Sequence, residues 1–206
     1  MRKTKLPIFF VLISTSLIFT TFVDAFGEME LRDKSKKLNK GDIKSTVEKL
    51  NLFDKELNEK GDCLNNFVDN GNGTVTDLTT ALMWEQKGSD QEKSWYFAKK
   101  YIKELNQKKF AGYSDWRIPT IEELYSLLQP NSTQQLYIDP VFDTGLSHCW
   151  SADTSTIRAL SLSSYRRNLT LDFKKGTFSE AFTGKLPGGT SATNTSSFVR
   201  AVRSIK

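Results

Sequence analysis

One stretch constrains this chain more than any other: Ala111-Gly-Tyr-Ser-Asp-Trp-Arg-Ile-Pro-Thr120. From Tyr113 to Pro119 the side chains alternate, so Trp116 and Ile118 point one way while Asp115 and Arg117 point the other. Burying the indole face leaves Asp115 and Arg117 neighbours on the second face, where an intramolecular ion pair is expected. Thr120 stands three residues before Glu123, the spacing of a capping box that starts a helix. Ile121, Leu124, Leu127 and Leu128 give that helix its apolar stripe, and Pro130 is expected to end it. An extended run, a proline corner and a capped helix in so short a space need packing partners on both sides. The class expected is α+β.

Upstream, Phe67-Val68 and Thr74-Val-Thr76 flank Asn70-Gly-Asn-Gly73, a hairpin signal because glycine and asparagine accept positive φ. That loop is rich in oxygen atoms but lacks the glycine offset and terminal glutamate of an EF-hand loop. Leu82-Met-Trp84 reads as a short buried strand. After Gly88, the spacing of Trp95, Ala98, Ile102 and Leu105 predicts an amphipathic helix with Lys99, Lys100 and Lys103 solvated.

Downstream, short strands are expected at Cys149-Trp-Ser, Ala159–Leu162, Leu169–Phe173 and Phe198–Val202, the third half-buried. Residues 183–196 form a polar loop. In the last strand Phe198, Arg200 and Val202 share a face opposite Arg203, so the two arginines cannot form one clamp unless the strand ends between them.

The N-terminus has the form of an export signal. Arg2, Lys3 and Lys5 precede an apolar or hydroxylated run from Ile8 to Phe22, and Val23-Asp-Ala25 offers a cleavage point. The run is short of the about 20 residues of a membrane span, so no stable span is expected after processing. The expected layout is a signal peptide at 1–25, a charged extension at 26–61 and one domain at 62–206. In the extension, Asp42 is expected to cap a helix bearing Ile43, Val47, Leu50 and Leu57 on one side, with Phe53 beside them and Gly61 as its stop. The two cysteines suit an oxidising compartment. A Cys63–Cys149 bridge would add roughly 4–5 kcal/mol by the chain-entropy model; two separate buried thiols are the other reading.

Charge is uneven along the sequence. Residues 61–149 hold eight basic and twelve acidic residues, and residues 150–206 hold nine and three. A basic face attracts anionic polysaccharide or lipid through screened Coulomb forces, and attraction between the two parts of one fold gives the same numbers. No nucleic-acid recognition motif is present.

The ordered motifs Asp69-Asn-Gly-Asn-Gly-Thr-Val-Thr-Asp77, Leu82-Met-Trp84, Ala111–Thr120, Ile138-Asp-Pro-Val-Phe142, Cys149-Trp-Ser-Ala-Asp153 and Val199-Arg-Ala-Val-Arg203 resemble the Lcl C-terminal domain family, named for the end domain of the Legionella collagen-like adhesin. The resemblance runs from about Asn66 to Arg203. It implies a relation to the C-type-lectin and formylglycine-generating-enzyme superfold: two helices around short twisted antiparallel strands, with a loop-built binding face on an exported or surface domain. Trp84, Trp116, Arg117, Pro119 and Trp150 match the family framework, and Trp95 joins them as a core residue by its helical spacing. The chain has no collagen-like stalk, so stalk-driven trimerisation does not carry over. Many members follow the first helix's tyrosine with cysteine; here Tyr101 precedes Ile102, so a bridge would have to use Cys63.

Reactive groups do not converge. The single histidine, His148, adjoins Cys149, and neighbours on a strand face opposite ways. Nothing has the spacing of a zinc site, and no cofactor is expected. The function expected is a non-catalytic, periplasmic or extracellular binding domain. Its ligand is an anionic or neutral glycan, stacked on Tyr165 and held by Arg158, Arg166, Arg167, Lys174, Lys175 and Lys185, with Asp115 and Arg117 as second candidates. The alternatives are an envelope protein-interaction module using helix 42–60, and a cryptic enzyme of the same superfold.

Overall fold

The computed structural model describes residues 29–133, 135–143, 145–156, 167–183 and 195–205. The expected signal peptide, the strand at Ala159–Leu162 and most of the 183–196 loop lie outside the described residues. In chain order the elements are β1 (Lys37–Leu38), α1 (Lys40–Lys49), β2 (Phe67–Asp69), β3 (Thr74–Asp77), β4 (Leu82–Glu85), α2 (Trp95–Gln107), a single turn at Phe110–Gly112, α3 (Ile121–Ser126), β5 (Leu128–Thr133), β6 (Leu136–Ile138), β7 (His148–Ser155), β8 (Arg167–Asp172), β9 (Thr177–Phe182) and β10 (Val202–Ser204). One sheet runs β1-β7-β8-β9 and a second β10-β4-β3-β2; β5 and β6 form a ribbon. Among the named strands of the described residues, β1 alone pairs in parallel, on β7. The mixture of helices and mainly antiparallel strands is α+β. No helix among the described residues is long and apolar enough to cross a membrane.

The 111–120 corner folds as its alternation dictates. Trp116 and Ile118 are buried. Asn106 of α2 holds the backbone of Trp116 from both sides, its amide donating to the Trp116 carbonyl (2.9 Å) and its carbonyl accepting the Trp116 N–H (2.8 Å). Arg117 bridges to Val202, so the run leans on the C-terminal strand through a single ladder step. Thr120 and Glu123 form the expected reciprocal cap. The hairpin forms too, with Gly71 and Gly73 at φ of +68° and +83°.

Several boundaries moved, for local reasons. The cap of α1 is Asn39, with Asp42 as the third helical residue completing the box, so the helix begins before Asp42. It ends at Lys49, because Asn51 turns left-handed (φ +51°). Leu52, Phe53 and Asp54 then dive into the core, where the Asp54 carboxylate accepts from the Tyr125 and Thr177 hydroxyls. Gly61 therefore stops no helix. It is glycine because an added Cβ would lie 2.2 Å from the Leu52 carbonyl oxygen. Helix α3 stops at Ser126, well before Pro130, which lies inside β5, where the β5–β6 register shifts. Strand β8 is covered on both faces, since Asn168 and Thr170 are as buried as Leu169 and Leu171. The last strand begins only at Val202; Phe198 makes an isolated bridge to Cys149 instead.

The two cysteines are not bridged. Cys63 and Cys149 are free, buried thiols. Cys63 packs 3.9 Å from the Met29 sulfur, while Cys149 lies in β7.

The N-terminal residues are sewn into the domain. Arg32 donates twice to the buried Asp153 carboxylate (2.9 and 2.9 Å), which also accepts the backbone N–H groups of Lys36 (2.6 Å) and Ile121 (2.8 Å). The Thr120 hydroxyl returns a bond to the Arg32 carbonyl. Ile43 and Val47 of α1 join Trp84, Tyr125 and Phe173 in the main core. Residues 29–54 thus share the main apolar core with residues of the strands and of α3 that follow.

Candidate functional site

Among the described residues, helix α2 supplies the surface best suited to hold a ligand. Its inner side is fixed by aromatic packing: Trp95 meets Trp150 edge-on at 5.6 Å, and the Trp150 indole N–H donates to the Lys93 carbonyl (2.7 Å). Ala98 is fully buried, and Ile102 packs against both satellite clusters, one around Trp150 and one around Trp116. Tyr101 donates its hydroxyl to the buried Glu85 carboxylate, whose second oxygen accepts the Ala201 N–H. Burial pushes the Glu85 carboxyl above its ordinary range, and burial followed by the Glu85 charge pushes the Tyr101 phenol up. Little freedom is left to the helix.

The outer side is the reverse. Tyr96 is 69% exposed and Phe97 54%, with their rings edge to face at 5.3 Å. Tyr96, Lys99, Lys100, Lys103, Glu104 and Gln107 line an open groove of about 510 Å³ along the helix. At 3.6 residues per turn, Tyr96, Lys100, Lys103 and Gln107 follow one another on the outermost stripe. Lys100 approaches Glu104 only to 3.9 Å, and Lys108 and Lys109 extend the basic ridge past the helix end. An exposed phenol above a row of ammonium groups can stack a sugar face and pair with its anionic substituents.

The residues picked from the sequence are not brought together in the same way. Arg158, Tyr165, Arg166 and Lys185 lie outside the described residues. Arg167 is engaged within its sheet, pairing with Glu180 (2.8 Å) and standing 4.4 Å over the Phe182 ring. Lys174 and Lys175 project from the β8–β9 turn, which Asp172 secures by accepting both of their backbone N–H groups. The expected Asp115–Arg117 pair does not form. Arg117 grips Glu123 with two bonds (2.7 and 2.5 Å), and Asp115 binds Arg203, whose guanidinium lies 3.8 Å over Tyr113. That bond to Arg203 holds the Asp115 carboxyl below its usual range. The alternation holds, but longer-range partners outcompete the neighbour two residues away.

Trp84, Trp116, Pro119 and Trp150 are buried, and Trp95 is half-buried against Trp150. Arg200, fully enclosed, donates to the carbonyls of Glu85, Gln86 and Asp143 and faces the Phe142 ring at 4.8 Å. It therefore serves a different place from Arg203. This order of buried tryptophans, capped corner and terminal arginines coincides with a family match: the Lcl C-terminal domain, over residues 73–203. The chain belongs to the Lcl C-terminal domain family. The matched span takes in α2 and the hairpin from Gly73 onward, and leaves out α1 and the residues before it, although these share the Lcl domain's core. Comparisons with curated proteins and with solved structures returned no match.

Both thiols of this Lcl domain are enclosed. Burial pushes the Cys63 and Cys149 thiols up to about 12, which keeps both protonated and unreactive at neutral pH. His148 turns toward the surface, 2.9 Å from the Ser147 hydroxyl and 3.5 Å from Glu92. Among the described residues, no three of His, Cys, Asp and Glu gather closely enough to hold a metal ion.

Proposed function

We propose that this Lcl domain is an exported, non-catalytic binding module that recognises anionic glycans along the outer side of α2. The observation that carries the reading is the exposed Tyr96 ring aligned with Lys99, Lys100 and Lys103 on a helix whose inner side is locked by Trp95, Tyr101 and Asn106. A rigid ridge loses little entropy on binding, so modest Coulomb attraction is converted into affinity. Export rests on the basic and apolar leader at residues 1–25. The C-type-lectin-like relation draws support from the family resemblance and from two helices, α2 and α3, set against short antiparallel strands.

Lys174 and Lys175 form a second, smaller cationic patch, and the helix at 40–49 is a poor docking element, because Ile43 and Val47 are spent in the core. The test is binding of the full chain to a sulfated polysaccharide and to its desulfated counterpart at low and high salt. The reading expects saturable binding to the sulfated chain alone, with affinity falling as salt rises. Equal binding to both chains, or no dependence on salt, would refute it.

A further inference from the structure

The β2–β3 hairpin loop contains two Asn-Gly pairs, Asn70-Gly71 and Asn72-Gly73, and the structure holds their nitrogen atoms differently. Asn-Gly is the pair in which a backbone nitrogen most easily reaches the preceding side-chain amide, because glycine has no Cβ to obstruct it. At Asn70 both reacting groups are occupied. Its amide nitrogen donates to the Thr74 and Thr76 hydroxyls (2.9 and 3.0 Å), and the Gly71 N–H donates to Asp69 (2.8 Å). At Asn72 neither group is held: among the described residues, the Gly73 N–H and the Asn72 amide nitrogen have no partner, and Asn72 is exposed to water. Its amide oxygen accepts a 2.6 Å bond from the Thr74 hydroxyl. That bond polarises the carbonyl and would stabilise the oxyanion formed on attack; the corresponding bond at Asn70, from the Thr76 hydroxyl, is longer at 3.3 Å. The Asn70 amide, by donating to Thr74 Oγ1, leaves the Thr74 proton aimed at Asn72.

We propose that Asn72 is a site of spontaneous modification in the native domain, and that Asn70 is its protected neighbour. Hydroxide removes the Gly73 amide proton, and the nitrogen attacks Asn72 Cγ. The new N–C bond closes a five-membered imide while the C–Nδ2 bond breaks, and the amide leaves as ammonia with a proton from water. A second water opens either imide carbonyl, giving aspartate or isoaspartate and one added negative charge. No oxidant or reductant takes part. The isoaspartate form lengthens the backbone by a methylene inside the turn, and either form places a second carboxylate close to Asp69. This inference is independent of the glycan reading.

The test is incubation of the full chain at mildly alkaline pH, native and unfolded in guanidinium, with conversion at each asparagine followed by peptide mass mapping. In the native protein Asn72 should convert at least about tenfold faster than Asn70, the factor expected from one or two net hydrogen bonds protecting the latter. Unfolding should bring the ratio close to one. In Asn72→Gln protein the native acidic species should vanish. Equal or faster conversion at Asn70 in the native protein, no conversion at Asn72, or an undiminished charge shift in Asn72→Gln would each overturn the proposal.

Discussion

Replacing Arg32 by alanine tests whether the N-terminal residues belong to the domain. The Asp153 carboxylate is fully buried and takes four N–H donors, two from Arg32 and one each from the Lys36 and Ile121 backbones. Arg32 is its ion-pair partner, with the arginine side chain only 14% exposed. Removing one member of a buried pair costs about 3–5 kcal/mol, because the charge left behind is uncompensated. The two backbone donors remain, so the lower part of that range applies, about 3 kcal/mol. For a chain of this size that corresponds to a fall in Tm of roughly 6–12 °C. Urea unfolding followed by circular dichroism measures it, with an unchanged m-value as the sign that only stability moved. Asp153→Asn in the Arg32→Ala background should cost less than in the parent, because the orphaned charge has gone. A loss below about 1 kcal/mol for Arg32→Ala, or strict additivity of the two substitutions, would refute the reasoning.

Two further outcomes follow from the buried groups. With thiols pushed up to about 12, a thiol reagent should label neither cysteine in the native protein at neutral pH and both after unfolding without reductant; absence of label in the unfolded chain would restore the bridge. Because burial raises the Glu85 carboxyl, the folded state holds its proton more tightly than the unfolded state. Stability from this group is therefore highest below the unfolded carboxyl range and declines as pH rises through the folded value. Glu85→Gln should remove that decline while keeping acceptance from Ala201, and an unchanged stability–pH profile would contradict the assignment.

The readable parts of the fold were those with local causes. The Asn-Gly hairpin, the Thr120–Glu123 cap and the Trp116/Ile118 alternation each depend on a few adjacent residues and appear as expected. What escaped depends on distant contacts. Arg117 chose Glu123 and Asp115 chose Arg203, a residue 88 positions away. The Arg32–Asp153 tie spans 121 positions and left no local mark. The candidate site was hidden by averaging. Summed over 61–149 the sequence is acidic, yet Trp95–Lys109 carries five lysines and one glutamate. Helical spacing marks Lys99, Lys100 and Lys103 as solvated, but it does not mark Tyr96 and Phe97 beside them as exposed. Their positions at the edge of the apolar stripe were the available signal.

The most direct measurement compares two cationic surfaces in one assay. Lys99→Ala/Lys100→Ala/Lys103→Ala and Lys174→Ala/Lys175→Ala proteins, with the parent, are titrated with a sulfated polysaccharide over a salt series. The account predicts that the α2 triple variant loses most of its affinity and that its slope of log K against log salt shrinks by roughly two to three, the number of ion contacts removed. The β8–β9 variant should keep both nearly intact. Full binding by the triple variant, or loss confined to Lys174→Ala/Lys175→Ala, would contradict it.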